Sequence, residues 1–240
     1  PVIHHSADND GIFSGLICKY FLEKGGNIVS LYPFNYGEQL DYVRLLSADL
    51  IYMVDISHDI LNDPNYTDKI VWIDHHKTAI EKYNPLISGL RIDGVAACRL
   101  CWQFLSNGYV YNPKEEYITR QVTEPAFIRL AGEYDVWDKR DPEADLFNLG
   151  SYIEDKEILF NRCLNDSLAY REYISAGYIL HKYNNKNNAS ICKANVHVVK
   201  FAGLTFACLN TARGNSLSFQ GLEDTYDAYM MWRWDGSKVT

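Results

Sequence analysis

The sequence lacks the features that place a chain in a membrane or send it for export. Its 240 residues contain no apolar run of eighteen or more residues, which is about the minimum length for a transmembrane helix. The N-terminus also lacks the basic segment and the following apolar stretch of a signal peptide. We therefore expect a cytoplasmic protein with no membrane partner.

Positive charge is also in short supply. Lys and Arg number 23 against 31 Asp and Glu, which gives a formal net charge of -8. This is the wrong sign for a protein that binds duplex nucleic acid through phosphate contacts alone. Bound divalent cations would reverse the sign locally. The charge thus argues against a general nucleic-acid coat protein and leaves open a metal-dependent enzyme that acts on a short phosphate-bearing substrate.

The cysteines form no disulfide framework. The six of them are scattered through apolar segments, which is typical of a reducing compartment. Cys98 and Cys101 do form a C-x-x-C, but it lies in the segment GVAACRLCWQFL, whose pattern predicts a buried helix. Because no second pair lies near enough to complete a zinc site, we expect both thiols to be packing residues.

What is present is an alternation of short apolar runs and amphipathic stretches. The first half reads PVIHH, GIFSGLICKYFLEKGG, NIVSLYPF, EQLDYVRLLSA, DLIYMVDIS and KIVWIDHH, the order strand, helix, strand, helix, strand, strand. This order predicts an α/β fold with a parallel sheet and helices on both faces. Gly25 and Gly26 are expected to stop the first helix.

The second half is predicted to be helical at first and then to form a smaller α+β lobe. Two helical stretches follow the sheet, the second interrupted near Pro125, and then one long helix is expected over 161–183. The polar segment 184–190 is expected to be a linker, and a hairpin is expected to open the last lobe. The predicted organisation is a metal-binding catalytic domain, a connecting helix with linker, and a partial substrate-binding lobe, over 1–160, 161–190 and 191–240.

Metal-type side chains follow three of the predicted strands. The runs VIHHSADND, LIYMVDISHD and IVWIDHHK each end in Asp and His residues. The carboxyl ends of parallel strands meet at one edge of a sheet, where ligands of α/β proteins bind. Asp and His favour cations such as Mn²⁺ and Mg²⁺, whereas thiolates would favour zinc or iron–sulfur centres. So many ligands would fill two adjacent sites, the pattern of phosphatases and nucleases.

The sequence IDHHK at 73–77, preceded by HHSADNDG and VDIS, resembles the DHH phosphoesterase superfamily. That family includes RecJ-type exonucleases, nano-RNases, cyclic-dinucleotide phosphodiesterases and manganese pyrophosphatases. The resemblance covers residues 1 to about 140, and it implies two Mn²⁺ ions, with Mg²⁺ as an alternative. It also implies six metal ligands: His4, Asp8, Asp10, Asp55, His75 and Asp135.

The resemblance further implies roles at the reacting centre. Asp55 would bridge the two metals, Asp74 would orient its histidine neighbours, and His76 would face the substrate phosphate. Two positions have competitors. His5 could bind in place of His4, and only one of the two is expected to bind because neighbours on a strand point to opposite sides. Asp138 could replace Asp135, because both lie in YDVWD and helical geometry places them on one face.

Other charged and histidine residues are expected to have simpler roles. His58 and Asp59 lie beyond the second motif and suit a cap or a surface loop. Arg213, in NTARGNSLS, is predicted as a substrate contact, although a turn is an equal alternative. Arg91, Arg99 and Lys77 are weaker candidates for phosphate contacts.

The predicted function is two-metal hydrolysis of phosphodiester bonds, with short single-stranded oligonucleotides or nucleotides as the substrates. Inorganic pyrophosphatase and a non-catalytic phosphate-binding module remain alternatives. The nuclease branch of the family carries a glycine-rich G-G-G-H motif in a DHHA1-type second lobe, and this chain has none. We therefore expect that the second lobe is cut short at Thr240.

Overall fold

Two separate units make up the fold, each with its own sheet. The computed structural model describes residues 1–108, 113–211, 214, 216–219, 221–222, 225–234 and 236–238. The units are Pro1–Gly177 and Tyr178–Thr240. Their boundary falls within 161–190, the segment expected to connect two domains.

The first unit contains a parallel sheet of four short strands. They are β1 (Val2–His5), β2 (Leu31–Phe34), β3 (Ile51–Val54) and β4 (Ile70–Ile73), in the order β2-β1-β3-β4. All three strand pairings are parallel. The predicted α/β class, with a smaller lobe after it, is confirmed.

Nine helices lie within the described part of the chain. They are α1 (Asn9–Lys24), α2 (Tyr42–Leu46), α3 (Lys77–Lys82), α4 (Ala97–Ser106), α5 (Lys114–Ile118), α6 (Ala126–Asp135), α7 (Pro142–Gly150), α8 (Lys156–Asn165) and α9 (Tyr170–Asn195). The first ends just before Gly25, and α6 begins just after Pro125, as the sequence predicts. Among the described residues, none of these helices is long and apolar enough to cross a membrane.

Helices cover both faces of the sheet because successive strand residues point to opposite sides. On β3, Tyr52 and Val54 belong to one apolar core, which α1, α4, α6, α7 and α8 share. Ile51 and Met53 belong to the other core, with α2 and α3. Strands β1, β3 and β4 are therefore largely buried on both faces, which is typical of parallel sheets, whereas the edge strand β2 is only partly buried.

Both edges of this sheet have a feature that limits further strand pairing. The outer strand β2 contains Pro33, which has no backbone N–H to donate. At the other edge, isolated parallel bridges join β4 to the segment around Ser88 and Arg91. There the Trp72 N–H donates to the Ser88 carbonyl at 2.8 Å.

One expected helix is in fact two, and the expected linker is helical. The chain leaves α8 at Asp166, whose backbone is extended and whose carboxylate accepts the Leu168 N–H at 2.9 Å. This local bond competes with helix continuation and separates α8 from α9. The polar segment 184–190 lies inside α9, since a run of Asn and Lys has no Gly or Pro to break a helix.

The second unit contains a three-stranded sheet in the order β5-β6-β7, formed by Val196–Phe201, Leu204–Asn210 and Ala228–Trp232. The first two form the expected hairpin. Its two turn residues, Ala202 and Gly203, have φ of 52° and 82°, the left-handed pair of a type I′ turn. A small apolar core, which includes Cys192, Leu209 and Phe219, packs in this unit.

Candidate metal centre

The first motif lies where β1 passes into α1. Asp8 caps the helix and accepts the Gly11 N–H at 2.9 Å, a typical N-cap contact. Asp10 follows in the first turn with 1% of its surface exposed, and its carboxylate accepts the backbone N–H groups of Ala97 at 2.8 Å and Cys98 at 2.7 Å. Two backbone donors thereby satisfy both oxygens of this buried carboxylate.

Asp55 directly follows β3 and adopts a backbone conformation that is rare for residues other than glycine. Its φ is 55°, in the left-handed region that Asp and Asn visit more readily than most residues. The side chain is 2% exposed, yet Oδ1 has no hydrogen-bond partner. A buried carboxylate oxygen that accepts no hydrogen bond is costly, so backbone strain and this missing hydrogen bond coincide at Asp55.

The third motif follows β4 and is organised by Asp74, which is fully buried. One of its oxygens accepts the backbone N–H groups of His75 and His76 at 2.7 and 3.1 Å, and it also contacts His76 Nδ1 at 2.7 Å. The other oxygen accepts the Trp72 indole N–H at 3.1 Å. Asp74 thereby fixes the orientation of the His76 ring.

His75 brings the three motifs and the end of α6 together. Its Nε2 lies 3.3 Å from Asp55 Oδ1, 3.5 Å from Asp10 Oδ2 and 3.3 Å from Asp135 Oδ2. Among the described residues, two groups have ligand atoms close enough to hold a metal ion: Asp10, His75 and Asp135, and Asp55, His75 and His76. Because His75 belongs to both groups, the two candidate positions are adjacent.

The electrostatics of this site favour a cation. Burial, together with Asp10 and Asp8 nearby, holds the pKa of Asp55 well above its usual range. The same causes raise the pKa of Asp135 to about 8. Carboxylates this close together disfavour one another's ionised form, and a divalent cation offsets that effect by supplying positive charge. The Asp55 oxygen, which accepts no hydrogen bond, and the oxygen-and-imidazole donor set both fit such an ion.

The comparison with protein families agrees with the motifs that form this site. A family model described as the N-terminal domain of the DHH family matches residues 2–128. The chain belongs to the DHH family.

Two solved structures share this fold over most of the chain, and a third is similar at a lower score. An uncharacterized protein from Helicobacter pylori G27 is 14% identical with a TM-score of 0.51, over 97% of this chain and 82% of that one. The DHH domain of a member of the S1P family of ribosomal proteins is 16% identical with a TM-score of 0.52, over 98% and 71%. The exonuclease RecJ bound to manganese is 13% identical with a TM-score of 0.46, over 91% and 70%. The comparison with curated proteins finds no match.

His4, expected as a metal ligand, is not brought to the cluster of this DHH domain. Its Nδ1 lies 2.9 Å from the His5 carbonyl oxygen. Its ring packs so closely against Gly15 of α1 that a Cβ on that glycine would lie only 2.7 Å from the His4 Cγ. Burial lowers the pKa of His4. The alternation along β1 turns His5 to the other side, where its Nε2 lies 3.5 Å from Asp8 Oδ2. The structure therefore places the competitor nearer to an acid of the motif.

Asp138, the competitor of Asp135, has a different partner. Its carboxylate accepts the Arg140 guanidinium N–H groups at distances from 2.5 to 3.1 Å. This pairing lowers the pKa of Asp138 to about 2. Asp135, in contrast, is the last residue of α6 and has an oxygen 3.3 Å from His75 Nε2. Of the two acids, the one nearest to the DHH motif is Asp135.

The remaining candidates lie elsewhere or are already engaged. His58 caps a 3-10 turn and accepts the Ile60 N–H at 3.2 Å, and Asp59 pairs with Lys82 at 2.9 Å. Arg91 donates to the Trp72 and Ile87 carbonyls at 2.9 and 2.7 Å. Arg213 lies outside the described residues.

Two features near the DHH motifs carry no signal in the sequence. Asn9 donates to Asn148 and Ser151 at 2.7 and 2.9 Å, so a buried polar contact ties the first motif to the end of α7. The Ala97 and Cys98 N–H groups that hold Asp10 are backbone atoms, which no residue type reveals. The C-x-x-C itself is packing, as expected, since Cys98 and Cys101 are both buried and free.

Proposed function

We propose that this DHH-family chain is a divalent-metal-dependent phosphodiesterase that acts on short single-stranded oligonucleotides or nucleotides. The observation that carries the proposal is the position of His75 Nε2 between three carboxylates, 3.3 to 3.5 Å from each. Mn²⁺ is the preferred ion, and Mg²⁺ is the alternative.

The residues that would hold two cations are those the motifs bring together. Asp10, His75 and Asp135 would hold one ion. Asp55 would contribute to both ion positions, and Asp8 would lie at the rim of the site. When bound, such ions supply positive charge that stabilises the phosphoryl oxygens and lowers the pKa of water. His4 is left out of this set because its ring packs beneath α1.

His76 is positioned to contact the substrate. Its side chain is 40% exposed, and the bond to Asp74 fixes its Nδ1, so Nε2 is left to face outward. The bond to Asp74 raises the pKa of His76, which favours the protonated ring. A protonated ring donates a charge-assisted hydrogen bond to a phosphate oxygen and stabilises the charge that gathers there in the transition state.

The acidic site itself makes the metal necessary for binding. Asp8, Asp10, Asp74 and Asp135 lie close enough to Asp55 to raise its pKa, and the whole chain carries a net charge of -8. Without a cation, each carboxylate of this cluster that ionises would repel a phosphodiester. We therefore expect substrate affinity as well as turnover to depend on the divalent cation.

The test is a hydrolysis panel with Mn²⁺ or Mg²⁺ over bis-p-nitrophenyl phosphate, pyrophosphate, short RNA and DNA oligomers, and cyclic dinucleotides. We expect cleavage of the phosphodiesters, abolished by EDTA and reduced at least about 100-fold by Asp55→Asn. Asp138→Asn is the matched control, since it removes a carboxylate that pairs with Arg140, and it should stay within about 2-fold of wild type.

Each other result of this panel has a definite meaning. Cleavage of pyrophosphate alone would identify a pyrophosphatase and overturn the substrate class. Bound Mn²⁺ without hydrolysis of any substrate would point to a phosphate-binding module. Absence of Mn²⁺ binding would overturn the metal site.

A further inference from the structure

The first turn of α4 holds the Asp10 carboxylate by both oxygens. The Ala97 N–H donates to Oδ2 at 2.8 Å, and the Cys98 N–H donates to Oδ1 at 2.7 Å. Oδ2 is also the oxygen that lies 3.5 Å from His75 Nε2. With one donor on each oxygen, the carboxylate has a single orientation, and that orientation turns Oδ2 toward the candidate metal group.

The same turn of α4 packs directly against α6. A Cβ on Gly132 would lie 2.6 Å from the Arg99 Cδ and 3.0 Å from the Ala96 Cβ, which is closer than packed side chains allow. Gly132 is therefore required for this approach of the two helices. Because Asp135 lies three residues further along α6, less than one helical turn away, the contact sets how far its carboxylate stands from Asp10.

A buried ion pair keeps this turn in place. Arg99 donates to the Glu124 carboxylate at distances from 2.5 to 3.1 Å and to the Tyr117 carbonyl at 3.2 Å. Both charged side chains are almost fully buried. Buried pairs of this kind contribute little net stability, but they allow one arrangement only, and here that arrangement fixes the stem of Arg99 against Gly132.

We propose that the first turn of α4, residues 97–99, is a positioning element for the metal ion held by Asp10, His75 and Asp135. Its N–H groups set the Asp10 oxygen, and its packing on Gly132 sets Asp135. Ala97 and Cys98 belong to neither candidate metal group and act through Asp10. Groups that orient a metal-binding side chain typically contribute about 10- to 100-fold in metal affinity. This inference rests on the proposed function only in that these three residues bind a divalent ion.

The direct test replaces Ala97 with lactic acid, which turns its amide into an ester and removes the one N–H without changing the side chain. The matched control is the same replacement at Ala144, which is also buried, lies in the first turn of α7, and loses an N–H that donates to the Asp141 carbonyl at 3.1 Å. Mn²⁺ affinity is measured by calorimetry and by the electron paramagnetic resonance signal of free Mn²⁺. Melting in EDTA measures the structural cost of each ester.

We expect the Ala97 ester to weaken Mn²⁺ binding by about 10- to 100-fold, while the Ala144 ester stays within about 2-fold of wild type at a comparable loss of melting temperature. Equal Mn²⁺ affinity for the Ala97 ester and the wild type would overturn the inference. If the wild-type chain binds Mn²⁺ but hydrolyses nothing, the proposed reaction fails, and the Mn²⁺ affinities of the two esters still decide the positioning role. If the wild type binds no Mn²⁺, both fail.

A second variant tests the packing contact independently. Gly132→Ala should separate α4 from α6 and weaken Mn²⁺ binding. Its control is Gly177→Ala, whose added Cβ would lie 1.8 Å from the Leu146 carbonyl oxygen, a contact between α7 and α9. Unchanged Mn²⁺ affinity in a folded Gly132→Ala protein would contradict the role of this contact.

Discussion

At the scale of single residues, Asp55 combines two unfavourable features. Its backbone has φ of 55°, and its buried Oδ1 has no hydrogen-bond partner. Strained backbone and unmet polar groups occur together at functional sites, where the surrounding structure enforces them. The cost of this residue in the metal-free protein should therefore be measurable.

Asp55→Asn should stabilise the metal-free protein at pH 7. The folded-state pKa of Asp55 is raised by burial and by Asp10, so stability is lost as the pH rises from the unfolded value toward the folded one, at about 1.4 kcal/mol per unit of pKa shift. Asparagine tolerates the left-handed backbone and does not ionise. Urea unfolding in EDTA at pH 4 and pH 7 measures this, and the gain should appear mainly at pH 7. A lower stability of Asp55→Asn at pH 7 would contradict the prediction.

Lys156 should make stability depend on pH in the alkaline range. Its ammonium donates to the Ser151 carbonyl and hydroxyl at 2.6 and 2.7 Å and lies 4.5 Å from the Tyr152 ring centre, with Asp155 as the neighbouring charge. Burial lowers its pKa to about 8. The folded state thus loses this proton before the unfolded state does, and stability from this group rises between about pH 8 and the usual lysine pKa near 10.4.

The measurement for Lys156 is the urea midpoint at pH 7.5 and pH 9.5. We expect the urea midpoint to rise more from pH 7.5 to pH 9.5 in the wild type than in Lys156→Met, which cannot titrate. The same difference in both proteins would show that Lys156 is not responsible.

The sequence predicts the site residues that follow strand ends, but not the contacts that depend on tertiary packing. Asp10, Asp55, His75 and Asp135 follow from strand ends and family spacing, and the structure brings all four together. The prediction of His4 rather than His5 depended only on the spacing of the family motif. The direction of a side chain on β1, however, depends on how the strand packs against α1. The Ala97 and Cys98 donors could not be predicted, because backbone groups take their partners from tertiary structure.

At the scale of elements, the hairpin of β5 and β6 has a turn that its sequence does not fully suit. Ala202 has φ of 52°, and for a residue with a Cβ this conformation costs roughly 1–2 kcal/mol. Asn followed by Gly is the preferred pair for a type I′ turn. Ala202→Asn should therefore stabilise the hairpin, and Ala202→Val should destabilise it because a β-branched residue fits this region poorly.

Hydrogen exchange of the β5 and β6 amides measures this change without requiring the rest of the chain to unfold. We expect slower exchange than wild type for Ala202→Asn and faster exchange for Ala202→Val. If both variants changed the exchange rate in the same direction relative to wild type, the turn assignment would be contradicted.

The sequence predicts this hairpin because Gly203 and the alternating pattern are local signals. The split between α8 and α9 is local as well, but it depends on Asp166 accepting a hydrogen bond from Leu168, and many aspartates in helical patterns make no such bond. The helical state of 184–190 is a choice between two nearly equal states for polar residues, which the adjoining helix decides.

At the scale of the whole molecule, the two units have separate apolar cores, while the candidate metal ligands all lie in the first unit. A ligand that binds only the folded state stabilises it by mass action, by about 2.7 kcal/mol at a concentration 100 times its Kd. This stabilisation should act on the unit that contains the site.

Mn²⁺ should therefore slow amide exchange in β1, β3, β4 and α6, and leave β5 to β7 nearly unchanged. Exchange mass spectrometry with and without saturating Mn²⁺ makes the comparison on one sample, and Asp55→Asn serves as the control with weakened binding. Equal protection of both sheets would mean that the units unfold together, and protection of β5 to β7 alone would place the ion elsewhere.

The edges of the parallel sheet bear on how copies of this chain meet. Exposed edge strands are templates on which other chains add and aggregate. Here β2 carries Pro33, which offers no donor to an incoming strand, and β4 is already bridged by the segment around Ser88 and Arg91. Neither edge of the parallel sheet is thus a good template for a further strand. A concentrated solution of this unit is consequently protected against association through that sheet, and the metal-free state, although strained at Asp55, is shielded from one common route to precipitation.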